Sequence, residues 1–75
     1  MADFMDLNVG DQVFLKAPLP FLKTADSIPV LRPSELVPPD EIGQIVEIRA
    51  RGLFAVRFRR GTFLIPDERL TISDQ

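Results

Sequence analysis

Residues 43–65 read GQIVEIRARGLFAVRFRRGTFLI, and this stretch decides the fold. Within it, Phe54, Val56 and Phe58 alternate with Leu53, Ala55 and Arg57. Successive side chains leave a strand on opposite faces, so this period of two marks a half-buried strand. The flanking runs 43–48 and 62–65 are also β-rich. Arg49-Ala50-Arg51-Gly52 separates the first two runs, and glycine accepts the positive φ that a tight reversal often needs. Arg59-Arg60-Gly61 separates the second pair, and Pro66 stops the last run. The pattern predicts a three-stranded antiparallel meander. Over residues 43–48 it allows two inward sets. Ile45 and Ile48 share a face if a bulge intervenes, whereas Val46 and Ile48 share one without it.

Upstream, Gly10-Asp11 reads as a turn into a first strand with Val13 and Leu15 on one face. Downstream, residues 66–70 suit a single 3₁₀ turn, and Thr71-Ile72 a short last strand closing against the first. Between the first strand and the meander, residues 17–42 hold six of the seven prolines. Proline fixes φ and lacks the amide donor, which argues against a central strand or a long helix there. Ser34 can cap one helical turn that Pro38 ends, and the remainder reads as one long loop. Its apolar content argues against disorder and predicts that it folds back, with Leu22, Leu31 and Leu36 acting as lid and core. The expected fold is all-β: a small five-stranded SH3-like barrel with a long proline-rich loop between strands 1 and 2. Residues 9–75 form its single domain, and residues 1–8 form a flexible N-terminal segment whose Phe4 and Leu7 could cover an open sheet edge.

Composition narrows the chemistry. The 75 residues contain no Cys, His, Trp or Tyr. Imidazole bases, thiolates and His or Cys metal sites are therefore excluded. Asp40-Glu41 are adjacent carboxylates, and neighbours in an extended segment point apart, so a solvated loop explains them better than acid–base chemistry. We expect no enzyme, no cofactor and no metal. The first eight residues lack the pattern of a signal peptide, and no apolar run approaches the ~20 residues of a membrane span. The expectation is a cytoplasmic monomer without membrane insertion.

The net charge of −2 conceals a segregation. Residues 1–47 hold three basic and eight acidic residues, whereas residues 48–66 hold five arginines and no acid. Arg49 and Arg51 read as solvated turn residues. Arg57 and Arg60 suit a partner surface, where guanidinium groups pair with carboxylates. Lys23 and Arg32 stand as isolated cations in the proline-braced loop, which also suits an interface. A basic face is also the footprint expected of an SH3-like nucleic-acid-binding module of the KOW type, a further alternative against which a pI near 4.9 and only two lysines weigh.

The stretch Phe21-Leu22-Lys23-Thr24-Ala25-Asp26, then Pro29, then Leu31-Arg32-Pro33, resembles the loop motif of the SipA family of small cyanobacterial SH3-like proteins. Val56-Arg57-Phe58, Gly61 and Phe63-Leu64 are similar to that family's meander. The resemblance covers roughly residues 9–72. It implies a non-enzymatic signalling adaptor that binds a sensor histidine kinase of the NblS type and modulates its autophosphorylation under stress. On that reading Lys23, Arg32, Arg57 and Arg60 contact the partner, and Thr24, Asp26, Pro29, Pro33 and Gly61 shape the loop and turn. The alternative from a different class is an SH3-like docking subunit of a photosynthetic electron-transfer complex, with the basic face receiving an acidic partner.

Overall fold

The computed structural model describes residues 7–73. Seven strands run in chain order: β1 (Gln12–Leu15), β2 (Leu22–Thr24), β3 (Leu31–Arg32), β4 (Gly43–Ala50), β5 (Leu53–Phe58), β6 (Gly61–Pro66) and β7 (Leu70–Ile72). They form one sheet in the order β3-β2-β6-β5-β4-β1-β7, with every neighbouring pair antiparallel. Short 3₁₀ turns occupy Ser34–Leu36 and Asp67–Arg69.

The meander β4-β5-β6 is the centre of the sheet, as its alternation predicts. Phe54, Val56 and Phe58 are all buried, and Phe63 and Ile65 join them from β6. Both hairpin loops have two residues: Arg51-Gly52, where Ala50 pairs with Leu53, and Arg59-Arg60, where Phe58 pairs with Gly61. Gly52 has φ +73, a conformation that a Cβ disfavours. Val13 and Leu15 on β1 are buried, and β7 pairs with β1.

A bulge decides the inward set of β4. The β4–β5 register shifts between Ile45 and Glu47, so Ile45 faces Val56 while Ile48 faces Phe54. Both isoleucines therefore sit opposite inward residues. Yet only Ile45 is buried, whereas Ile48 is 49% exposed. A second shift, between Ile48 and Ala50, lies beside it.

Three expectations are corrected here. Among the described residues the strands number seven instead of five, and the order ends in two edges, β3 and β7, so the sheet is not a closed barrel. The extra pair lies in the proline-rich segment. Proline excludes a central strand, but Pro20, Pro29 and Pro33 only flank β2 and β3, and β3 is an edge strand with a partner on one side. The hairpin also exposes Leu31, because pairing sets it opposite the outward Lys23, whereas Leu22 is buried. Finally, the 3₁₀ turn at 34–36 is preceded by Pro33 at the cap position, without a side-chain cap from Ser34. Leu36 packs against the core as expected.

Most of the expected flexible segment 1–8, including Phe4, lies outside the described residues. Of the rest, Leu7 is buried in the core.

Candidate functional site

The β2–β3 hairpin extends the sheet from β6 and carries three exposed apolar residues, including the most exposed of those described. Its tip presents Ile28 at 82% exposure and Leu31 at 61%, with Val30 between them. One side-chain hydrogen bond holds the tip in shape. The Val30 N–H donates to Thr24 Oγ1 at 2.8 Å, and the Thr24 N–H donates to the Val30 carbonyl at 2.9 Å. The Ala25 carbonyl accepts from Arg49 Nη2 at 3.3 Å, and Arg49 also pairs with Glu47 at 3.2 Å. Arg49 thus braces the hairpin against β4 as well as meeting solvent. Proline limits the conformations of the exposed arm, since Pro29 lies within its loop and Pro33 follows β3.

A groove of about 470 Å³ runs between this hairpin and the β5–β6 turn. Arg32 and Arg60 line it from opposite sides, with Thr24, Asp26 and Gly61 between them. These two cations are distant in sequence, and the pairing of β2 with β6 brings them together. Among the described residues neither takes part in an ion pair. A pair of free guanidinium groups beside exposed apolar side chains suits carboxylates on a protein surface.

The other two predicted partner residues lie elsewhere. Lys23 points to the opposite side of β2 from Thr24 and lines a separate cleft. Arg57 faces outward on β5 and donates to Gln44 Oε1 at 3.3 Å, its cross-strand partner. Residues 23, 32, 57 and 60 therefore do not make one surface.

Sequence reasoning missed a structural role for Glu41. The Asp40-Glu41 pair is not simply a solvated loop: Glu41 is half-buried, and its Oε2 accepts the Arg59 N–H at 3.0 Å. This bond anchors the turn that presents Arg60. A bond across 18 residues leaves no local pattern that could have announced it. Asp40 has φ +79, so the chain turns sharply just before it.

The fold and site define a small all-β protein that offers exposed, cation-lined clefts on either side of a projecting hairpin. The chain belongs to the CRR42-like family, described as Protein CHLORORESPIRATORY REDUCTION 42-like, whose pattern matches residues 9–70. It is similar to Protein CHLORORESPIRATORY REDUCTION 42, chloroplastic, of Arabidopsis thaliana, with 40% identity over 60 residues. That match covers 79% of this chain and 50% of the relative, so the chain spans about half the length of the curated relative it matches. No solved structure matches it.

This membership overturns the resemblance to the SipA family. The partner inferred from it, a sensor histidine kinase of the NblS type, falls with it, as does the role in two-component stress signalling. The expectation of a cytoplasmic protein is corrected too, since the matched relative is chloroplastic. The physical reason is that alternating strands and a braced loop describe a scaffold, and one scaffold serves many partners.

Proposed function

We propose that the chain is a non-enzymatic docking module for a photosynthetic electron-transfer complex. The observation that carries this reading is the exposed apolar hairpin tip at Ile28 and Val30, with Val30 lining the same groove as the unpaired Arg32 and Arg60. An apolar centre edged by arginine is the composition of a protein interface. Family membership supports the setting, because the matched relative is a chloroplast protein named for chlororespiratory reduction. Composition supports the absence of catalysis: the chain has neither His nor Cys. In this reading Arg32 and Arg60 meet the partner's carboxylates, and Thr24, Asp26, Pro29, Pro33 and Gly61 hold the hairpin and the neighbouring turn in place.

The finer fold belongs to the same proposal. Strands β7, β1, β4, β5 and β6 run consecutively across the sheet and supply an SH3-like five-stranded unit, to which the hairpin is added at β6. Residues 9–75 then act as one domain.

The test is a photo-cross-linking residue placed at position 28 of the tagged protein in its native host. The expected result is a defined cross-link to a subunit of a membrane electron-transfer complex, reduced severalfold by Arg32→Glu with Arg60→Glu. Cross-links to RNA, or none while the protein stays soluble and folded, would overturn the proposal.

A further inference from the structure

A second cleft shares no lining residue with the Arg32–Arg60 groove. Leu53, Leu64 and Pro66 form one side of it, and Leu19, Pro20 and Phe21 form the other. The register sets Leu53 opposite Pro66 and Leu64 opposite both Ala55 and Lys23. These side chains therefore leave the sheet on the face away from Phe54, Val56, Phe63 and Ile65. Leu19 belongs to the core, whereas Leu53, Leu64 and Pro66 stay only half-buried and leave apolar surface open to the cleft. Phe21, 50% exposed, adds an aromatic ring to it.

Size and charge select the occupant. The cleft has a volume of about 260 Å³. This lies just below the ~300–1,000 Å³ of sites that enclose a drug-sized ligand, so it suits one or two side chains better than a cofactor. Among the described residues two exposed cations, Lys23 and Arg69, line it, and no acidic residue does. Among the described residues neither cation is in an ion pair. Asp67 and Glu68 precede Arg69 on the same 3₁₀ turn but do not line the cleft.

We infer that this cleft takes a short acidic peptide segment of a partner protein, seated by one aromatic or aliphatic side chain. Burial of the anchor supplies affinity, and carboxylates flanking it pair with Lys23 and Arg69 to set orientation. The inference goes beyond the hairpin reading, since it concerns a separate surface.

The test titrates the ¹⁵N-labelled protein with the peptide acetyl-Asp-Glu-Phe-Glu-Asp-amide and follows amide shifts by NMR. Shifts are expected at Phe21, Lys23, Leu53, Leu64 and Arg69. Lys23→Glu with Arg69→Glu should weaken binding about tenfold or more. Phe21→Ala, which keeps both charges and alters a half-exposed residue, should weaken it severalfold. Unmoved amides of Val56 and Ile65 would verify that each variant is folded. Equal binding of a peptide with Ser in place of Phe would overturn the inference. So would preference for a Lys-flanked peptide, shifts centred on Arg32 and Arg60, or no shift at millimolar peptide. The cross-link at position 28 should persist in the Lys23, Arg69 variant, which separates failure of this inference from failure of the hairpin reading.

Discussion

Replacing Gly43 by alanine adds one methyl group where two strands and a ring leave no room. A Cβ at Gly43 would lie 2.6 Å and 2.7 Å from two ring carbons of Phe58 and 2.9 Å from Cγ1 of Val56. Carbon atoms prefer separations of about 3.5–4.0 Å, so a ring must turn or β4 must move. Val56 is fully buried and Phe58 nearly so, which leaves neither much freedom to give way. Overpacking of this kind costs roughly 1–3 kcal/mol. A domain of this size has about 4–11 kcal/mol of stability in total. Each kcal/mol shifts the melting temperature by about 4–8 °C, so Gly43→Ala should lower it by roughly 5–20 °C. The chain lacks Trp and Tyr, so far-UV circular dichroism is the suitable probe. Adding Phe58→Leu should relieve the clash, making the double variant more stable than the sum of the two single losses predicts. A melting temperature within about 2 °C of the parent, or strict additivity with Phe58→Leu, would show that the core has room for a methyl group at Gly43, since the shift expected per kcal/mol is larger.

Two further expectations test the core and the hairpin. Ile65→Ala removes a fully buried side chain from β6 and should cost about 2–5 kcal/mol, seen as a large fall in the urea midpoint. A loss below about 1 kcal/mol would mean that the site collapses around the smaller residue. Thr24→Val keeps shape but deletes the acceptor of the Val30 N–H and should cost about 0.5–1.5 kcal/mol locally. Hydrogen exchange should then speed up at Val30 while amides of β5 hold; unchanged exchange at Val30 would show that the bond does not hold the tip.

The alternation at 53–58 was readable because each inward residue states its own burial. Leu22 and Leu31 look alike in the sequence, yet one is buried and the other exposed, because the β2–β3 register sets Leu31 opposite Lys23. Proline content argued against a central strand in this segment, yet β2 pairs with both β3 and β6, because the prolines flank the pairing residues without occupying them. Among the candidate contacts, residue types alone marked Arg32, Arg57, Arg60 and Lys23 as available cations. They carried no sign of which would share a groove.

By itself, then, the sequence determined that this is a small β protein with an apolar meander, a braced loop, segregated charge and no imidazole or thiol chemistry. These are local properties, written in residue type and period. Tertiary structure alone decided the pairing of β2 with β6, which joins Arg32 to Arg60 and sends Lys23 to another cleft. It also decided the bulge at Val46, the bond from Arg59 to Glu41 and the absence of space at Gly43. Each of these depends on segments distant in the chain meeting in one register, and that meeting is settled by how the whole core packs.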